Sequence, residues 1–359
     1  MTRSELKVGY FPFAPGSNPY QRLFAESLER AGVCVSRIPP RKLLALQYAA
    51  RQPVDLLQLD WPHDWYEGRT SLRRVFKTLM YREGLRRLRN RPVVWTAHNL
   101  GAHDAADSAR EQRMIQHLVD ACDGIMVLSN AAAGLLRERY IVPDSTRTLV
   151  VHHGHYMGCY PNSISRASSR SRLGISRDVH VVLSLGRLRP YKGLDRLIAS
   201  FGRVARPGDV LILAGEAGSD EFAEQLTAMA RAARRPEIRI EVRNELVADA
   251  DLQVYFNACD VVALPFRDIL SSGSLMLAMS FGCPVIAPTI ASIPELVDSR
   301  ACFGYDPADP DGLTSALQRA REGAGRSGLR ESTMSFVAER YSWAAVGRKV
   351  RDFYRSIVA

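Results

Sequence analysis

Short apolar runs alternate along the chain with longer segments in which apolar residues recur at helical spacing. In the first half the runs predict strands at Leu6–Phe11, Val33–Ile38, Val54–Leu59, Val93–Thr96, Gly124–Leu128 and Thr148–His152. The periodic segments predict helices at Tyr20–Ala31, 69–90, Ser108–Cys122 and Asn130–Tyr140. Strands that alternate with helices in this way predict a parallel sheet covered by helices on both faces.

The second half repeats this pattern. It predicts strands at Val179–Leu185, Val210–Gly215, Ile238–Val242, Asp260–Pro265 and Pro284–Ala287, and helices near 192–205, 219–235, 249–258, 272–282 and 310–323. A stretch rich in Ser and Arg, 161–178, predicts an interdomain linker. We therefore expect an α/β chain of two doubly wound, Rossmann-like domains, 1–160 and 179–340, facing a central cleft at the carboxyl ends of their strands. The remaining segment, 341–359, predicts a helix that packs back on the first domain.

Composition agrees with two domains and narrows the class of partner. The chain has 359 residues, of which 46% are hydrophobic, and a formal net charge of +10, which favours an anionic partner. The six cysteines include no CxxC pair, so neither a disulfide framework nor a zinc site is indicated. The chain enters a strand at once, and no apolar run reaches the roughly 18 residues of a membrane span. We expect a cytoplasmic protein, peripheral on the cytosolic face of the inner membrane.

The predicted helix within 69–91 is unusually basic. It contains nine Arg or Lys residues and a single acid, Glu83, and its apolar residues fall at Leu72, Val75, Phe76, Leu79, Met80 and Leu88. Such a helix can lie on an anionic membrane surface, or it can pack its apolar stripe on a sheet and leave the cations in water. We favour the membrane. A nucleic-acid partner is not expected, because no aromatic-interleaved basic platform is present.

Two segments carry the pattern of an anion site, in which a strand is followed by a glycine turn and a helix. In the first, Ser184–Gly193, two cations follow the turn glycine: Gly186, Arg187 and Lys192. In the second, a small polar stretch follows a later strand: Ser272, Gly273 and Ser274. Backbone N–H groups at a helix start and nearby cations together bind diphosphate. The pair indicates a nucleotide-sugar donor; ordinary turns with solvated cations are the alternative.

These residues resemble the donor domain of GT-B glycosyltransferases. The resemblance extends through Gly215, Asp260–Pro265 and the segment Phe281-Gly282-x-Pro284-Val285. Four segments are similar to those of the β-mannosyltransferases of xanthan-type exopolysaccharide assembly. Three lie in the first half, Leu59–Pro62, Thr96–Asp104 and His153–Tyr156, and the fourth is Arg189–Gly193. This likeness implies metal-independent transfer of mannose from GDP-mannose to a polyprenyl-diphosphate-linked oligosaccharide, with inversion to a β linkage.

One departure within the resemblance concerns stereochemistry. The large retaining GT-B family carries two glutamates at the positions that are Ile269 and Leu277 here, and neither side chain can hydrogen-bond a sugar. This favours an inverting enzyme. The resemblance also implies a glycine loop that closes over the donor at Gly16, Ser17 and Asn18, for which a simple turn with an Asn cap is the alternative, and a loop near the nucleotide base with Arg243 and Glu245. His155 ends a predicted strand near the linker and is a candidate contact to the donor phosphates or sugar; packing at a hinge is its alternative role.

An inverting transfer needs a base, and histidines at the ends of first-half strands are the candidates. His98 and His103 follow Val93–Thr96, and Asp104 comes next; Asp60 and His63 follow Val54–Leu59. An adjacent carboxylate raises the basicity of a histidine. For each of these residues a structural hydrogen bond is the alternative role. Asp249-Ala250-Asp251 reads as the start of a helix rather than a cation site, so no metal is expected.

Two other functions remain open at this point. One is a glycosyltransferase that uses a UDP-sugar and acts on another glycolipid or a small acceptor. The other is a catalytically silent nucleotide-sugar-binding subunit of a polysaccharide assembly complex. A dinucleotide-dependent dehydrogenase is disfavoured, because no Gly-x-Gly-x-x-Gly follows a first strand.

Overall fold

The computed structural model describes residues 5–14, 16, 18–41, 44–68, 70–100 and 108–359. The chain forms two compact units. The first combines Met1–Gly154 with Tyr341–Ala359, and the second is His155–Arg340.

The first unit is built on a parallel sheet of six strands in the order β2-β1-β3-β4-β5-β6. The strands are β1 (Lys7–Phe11), β2 (Cys34–Arg37), β3 (Leu56–Leu59), β4 (Val93–Ala97), β5 (Gly124–Val127) and β6 (Arg147–Val150). Every residue of β3, β4 and β5 is buried, as expected for central parallel strands covered on both faces. The helices before residue 154 are α1 (Tyr20–Arg30), α2 (Ala45–Ala49), α3 (His63–Tyr66), α4 (Ser71–Leu88), α5 (Ser108–Val119) and α6 (Asn130–Arg139).

The second unit has the same architecture with a different strand order, β12-β11-β10-β7-β8-β9. Its strands are β7 (Val181–Leu185), β8 (Val210–Ala214), β9 (Arg239–Arg243), β10 (Val261–Ala263), β11 (Val285–Pro288) and β12 (Cys302–Tyr305). Its helices are α7 (Arg166–Arg172), α8 (Leu194–Val204), α9 (Asp220–Ala233), α10 (Leu252–Ala258), α11 (Gly273–Ser280), α12 (Ile293–Leu296), α13 (Gly312–Gly323) and α14 (Leu329–Arg340), with a 3₁₀ turn at Pro190–Lys192. The order reverses between β7 and β10, where doubly wound folds bind ligands.

The stretch 161–178 is a correction to the sequence analysis, because it belongs to the second unit and is not a linker. It contains α7, and Arg170 on this helix is 2% exposed. The Arg170 guanidinium donates to the Ala258 carbonyl and to the Asp260 carboxylate, at 3.0 and 2.9 Å. The buried Arg170 side chain therefore holds this segment against the second unit, although its composition is typical of a flexible linker.

The last helix, α15 (Trp343–Val358), returns to the first unit and packs along α1. The helices approach closely at Gly347, where a methyl group would lie 2.1 Å from the Ser27 carbonyl oxygen. Farther along, the Tyr354 hydroxyl donates to Gln58 Oε1 on β3 at 2.7 Å. The C-terminal helix therefore completes the core beneath the first sheet.

Replacing Gly347 with Ala tests this close approach. We expect the variant to lower the free energy of unfolding by about 1–3 kcal/mol, because the added methyl forces α15 away from α1. Chemical denaturation measures the change. Gly134→Ala is the matched control, because Gly134 lies on α6 with no atom near its missing side chain, and this change should stabilise by roughly 0.5–1 kcal/mol. Equal effects at the two positions would contradict the packing argument.

Candidate active site

The segments that follow β7 and β10 meet where the strand order of the second sheet reverses. Gly193 has φ +66° and precedes α8, and a methyl group on it would lie 2.2 Å from the Pro265 carbonyl oxygen. At Gly186, with φ +120°, a methyl group would lie 2.9 Å from the Lys192 ammonium nitrogen and 3.2 Å from the Ser274 hydroxyl. The two predicted anion segments therefore lie side by side, and the bare backbone of two glycines allows their close approach.

Lys192 is the most informative side chain of this site. It is 7% exposed, and burial together with the nearby Arg189 guanidinium lowers the pKa of its ammonium to about 8. Among the residues that the structure describes, no carboxylate pairs with it. A buried cation is costly unless a counter-charge is present. Lys192 is therefore a buried cation that lacks a counter-charge among the described residues.

The second half of the site is the start of α11. The Ser272 hydroxyl caps this helix by accepting from the Leu275 N–H at 3.0 Å. Gly273 is exposed, and the N–H groups of a first helical turn have no partner inside the helix. The Tyr156 hydroxyl lies near Gly273, where a methyl group would be 3.6 Å away. Ser272 is thus both a cap and part of the site.

The other predicted donor-binding residues of the second unit differ in exposure and in the contacts that they already make. Arg187 is exposed on the same turn as Gly186, and Glu245 is exposed after β9. Arg243 is already engaged, because it donates to Glu241 at 2.8 Å and to the Tyr255 hydroxyl at 3.1 Å. His155 is half-buried, and burial lowers its pKa.

In the first unit, Asp60 and His98 come together at the reversal point between β1 and β3. The Asp60 side chain is fully buried, and its Oδ2 lies 3.3 Å from His98 Nε2. The Tyr10 hydroxyl donates to the same oxygen at 2.6 Å. Burial and the Asp60 charge raise the pKa of Tyr10, so its hydroxyl keeps the proton that it donates. The result is a histidine held by a buried, hydrogen-bonded carboxylate.

Further contacts fix this cluster from both sides. Gln58 Nε2 donates to Asp60 Oδ1 at 3.1 Å and to the Thr96 hydroxyl at 2.6 Å. The His98 ring stacks on Trp61, with ring centroids 4.5 Å apart. Trp61 has φ +41°, a left-handed conformation that costs a non-glycine residue energy and that occurs at functional sites.

The remaining first-unit predictions have structural contacts or lie outside the described residues. His63 Nδ1 lies 2.7 Å from Glu111 and 2.9 Å from the Tyr66 hydroxyl, a pairing that supports the structural alternative. The Asn18 side chain accepts from the Tyr20 N–H at 3.0 Å at the start of α1, and Gly16 is exposed. Three predicted residues lie outside the described part of the chain: Ser17, His103 and Asp104.

A metal site is not evident in the described part of the chain, where no group of three His, Cys, Asp or Glu side chains is arranged to hold an ion. Asp251 stands at the start of α10 but makes no side-chain capping bond, so the helix begins at Leu252 without the cap predicted from Asp249-Ala250-Asp251.

Helix α4 presents two different faces. Tyr81, Leu85 and Leu88 are buried, whereas its first half exposes large apolar side chains to between 48 and 85%: Leu72, Val75, Phe76 and Leu79. The same exposed side continues into Arg82, Arg86 and Arg87. No helix in the described ranges has the length and apolar character to span a membrane.

Several residues of the two clusters were not predicted. Arg189 lies inside the motif Arg189–Gly193 and covers Gly218, but only Lys192 of that motif was assigned a role. Gln58 was visible as a lone polar residue within the apolar strand β3, a signal for a buried polar partner. Tyr10 and Tyr354 gave no such signal.

Residues 179–322 match the family model described as "Glycosyl transferases group 1". Over 295 residues the chain is 26% identical to a GDP-mannose:glycolipid 4-beta-D-mannosyltransferase of Xanthomonas campestris pv. campestris, covering 81% of this chain and 76% of that protein. It is also 29% identical over 290 residues to a D-inositol 3-phosphate glycosyltransferase of Segniliparus rotundus, covering 74% of this chain and 61% of that protein.

Solved structures agree on the fold. The sucrose-phosphate synthase of Thermosynechococcus elongatus has a TM-score of 0.74 at 19% identity, covering 98% of this chain and 99% of that one. Anabaena HepE in complex with UDP-glucose has a TM-score of 0.70 at 18% identity, covering 98% and 100%. The chain therefore has the fold of the GT-B glycosyltransferases, and residues 179–322 of its second unit match the group 1 glycosyl transferase domain.

Proposed function

We propose that the protein transfers mannose from GDP-mannose to a polyprenyl-diphosphate-linked oligosaccharide, with inversion to a β linkage, in exopolysaccharide biosynthesis. The buried Lys192 ammonium beside Gly186 and the start of α11 is the observation that carries this proposal. A diphosphate supplies the counter-charge that this lysine lacks among the described residues. The name of the Xanthomonas relative supports mannose, GDP and a glycolipid acceptor.

The leaving-group side of the reaction follows from that arrangement. As the bond between the sugar C1 and the phosphate oxygen breaks, its electron pair goes to the diphosphate. Lys192, Arg187 and the amides of Gly273 and Ser274 stabilise the growing negative charge, because preorganised donors act most strongly where charge develops. The two positions that carry glutamates in the retaining family are Ile269, which is 5% exposed, and Leu277 in this chain. The absence of these glutamates supports a single displacement.

His98 is the proposed base. It takes the proton of the acceptor hydroxyl while the hydroxyl oxygen attacks C1 of the sugar. Asp60 acts through His98 as a positioning residue, since it is buried and orients the imidazole by the Nε2 contact. His103 and Asp104 stay predictions for the same step.

A donor screen tests the proposal. GDP-mannose and GDP should raise the melting temperature of the protein more than UDP-sugars do, and GDP-mannose with a synthetic polyprenyl-diphosphate oligosaccharide should give a β-linked product by NMR. A larger rise in melting temperature with a UDP-sugar would contradict GDP-mannose as the donor and favour the UDP-sugar alternative. Donor binding without turnover on any lipid-linked acceptor would favour a silent subunit.

We further propose that α4 rests on an anionic membrane surface, where a lipid-linked acceptor is found. Its exposed apolar side chains would lie at the acyl boundary of the membrane: Leu72, Val75, Phe76 and Leu79. The arginines that follow on the same side would contact lipid phosphates. One helix face thus combines the two features that interfacial binding requires.

Changing Leu72 and Phe76 together to Ser should weaken binding to vesicles of phosphatidylcholine and phosphatidylglycerol by roughly tenfold or more, because each side chain loses apolar burial. Cosedimentation with the vesicles measures the change. Ile141→Ser and Leu246→Ser are matched controls, because these residues are also exposed, to 82 and 72%, but lie elsewhere. Equal binding of all variants would contradict the membrane proposal.

A further inference from the structure

The carboxyl-terminal half of α4 and the end of α5 form a cavity of about 320 Å³ in the first unit. Three arginines of α4 line one side of it, Arg82, Arg86 and Arg89, and Asp120 and Ala121 line the other. We call it the α4–α5 arginine pocket. Its volume lies at the lower end of the range for small-molecule pockets, about 300–1,000 Å³, so a small polar group fits inside it.

The pocket carries more positive than negative charge. Arg82 and Arg89 form no ion pair or side-chain hydrogen bond with any residue that the structure describes, and Arg86 approaches Glu83 only at 3.8 Å, in an exposed pair. Asp120 is the one carboxylate among the described residues that line the pocket, and it already accepts from Gln116 Nε2 at 2.7 Å. Three guanidinium groups and one carboxylate therefore favour an anionic occupant.

The guanidinium groups also indicate the class of anion. Their planar sets of N–H donors match pairs of oxygen atoms on a phosphate group. The tetrahedral oxygens of a phosphate point in different directions, so guanidinium groups from successive turns of one helix can contact it together. The arginines of the pocket are spaced in this way along α4, and we therefore expect a phosphate group as the occupant.

The side of α4 on which the pocket lies indicates where this phosphate comes from. Val75, Leu79, Arg82, Arg86 and Arg89 follow one another at intervals of three or four residues, so they lie along one side of the helix. Val75 and Leu79 are 60 and 55% exposed. An exposed apolar stripe therefore leads directly into the pocket.

The apolar area extends beyond α4. Leu44, which is exposed before α2, lines a second small cavity together with Phe76. A free phosphate ion would leave this area exposed to water, whereas a phospholipid would cover it with acyl chains. The combination of an arginine pocket and an adjoining apolar area therefore fits a phospholipid better than a free phosphate.

The pocket is separate from the candidate base. Arg89 precedes β4 and Asp120 precedes β5, whereas Asp60 and His98 follow β3 and β4. The pocket and the Asp60–His98 cluster therefore lie at opposite edges of the first sheet. A group bound in the pocket does not contact the reacting atoms.

We propose that the α4–α5 arginine pocket binds the phosphate group of an anionic phospholipid whose acyl chains contact the apolar half of α4. This rests on the membrane contact proposed above and adds a defined site to it. A diffuse attraction to the membrane would depend equally on all exposed arginines of α4, whereas the pocket depends on those that line it. The bound lipid would hold the end of α4 where no large apolar side chain is exposed.

Cosedimentation with vesicles of phosphatidylcholine and phosphatidylglycerol compares two double variants that lose the same charge. Arg82→Gln with Arg89→Gln alters the pocket, and Arg73→Gln with Arg87→Gln is the matched control, because these arginines are exposed on α4 but do not line the pocket. We expect the pocket variant to bind at least tenfold more weakly than the control variant, because it also loses charge-assisted hydrogen bonds. Equal losses would overturn the pocket and still support the membrane contact of α4.

A short-chain phosphatidylglycerol dissolved as a monomer tests the pocket without a membrane. In a phosphorus NMR titration, the unaltered protein and Lys192→Met should bind it alike, which separates the pocket from the donor site, and the Arg82→Gln/Arg89→Gln variant should bind it at least tenfold more weakly. Equal binding by the pocket variant would overturn the site, and inorganic phosphate that binds as tightly would overturn a lipid as its occupant. This result stands whether or not the protein binds vesicles, so failure of the pocket and failure of the membrane proposal are distinguishable.

Discussion

Lys192→Met is expected to make the free protein more stable and the enzyme nearly inactive. The methionine removes a buried ammonium whose pKa falls from its ordinary value of 10.5 to about 8, a difference of about 3 kcal/mol in favour of the neutral side chain. The same change removes a preorganised cation from the diphosphate, so kcat/KM for the donor should fall by about 10²–10³. Thermal unfolding and initial rates measure the two effects.

The pH dependence gives this prediction a second test. Below pH 8 the ammonium is charged in both the folded and the unfolded chain, and its burial lowers stability. Between pH 8 and 10.5 the folded protein binds fewer protons than the unfolded one, so the free energy of unfolding should rise with pH. This rise should be absent in Lys192→Met and present in the control Lys349→Met, since Lys349 is exposed on α15. A variant that loses stability while keeping turnover would contradict the account of Lys192.

His98→Gln is expected to lower kcat by about 10²–10⁴ while leaving donor binding unchanged, because it removes the proposed base but not the proposed diphosphate site. Asp60→Asn should cause a smaller fall, since the imidazole remains but loses the carboxylate that orients it. Single-turnover rates and the donor-induced shift in melting temperature separate these effects.

His117→Ala is the matched control for the base, because His117 is a half-buried histidine on α5 outside the Asp60–His98 cluster. It should retain the kcat of the unaltered enzyme. Full turnover in His98→Gln would exclude His98 as the base and leave His103, which lies outside the described residues, as the next residue to test.

The sheets were predictable because their central strands are apolar on both faces. The run Val179–Leu185 predicts β7 to within two residues, and all of β7 is buried. The strand β12, Cys302–Tyr305, was missed, because its short apolar run contains Gly304, and glycine is depleted in strands.

The candidate site was predictable where it follows from topology. Parallel strands place their carboxyl ends on one edge, so Gly186, Lys192 and Ser274 were expected together, and they converge. The link from Tyr354 through Gln58 to Asp60 was not predictable, because Tyr354 and Gln58 are 296 residues apart. Nothing local in either segment indicates the partner.

The return of the chain from Tyr341 to the first unit determines the order in which a nascent polypeptide can complete its cores. The second unit is continuous in sequence, so all of its residues are synthesised before α15. The core of the first unit cannot be completed before the C-terminal helix is synthesised. On this helix Trp343 packs against Gly154, and Tyr354 donates to Gln58, which contacts the Asp60–His98 cluster. A chain that ends near Arg340 would therefore contain every residue of the second unit but would lack the C-terminal helix of the first.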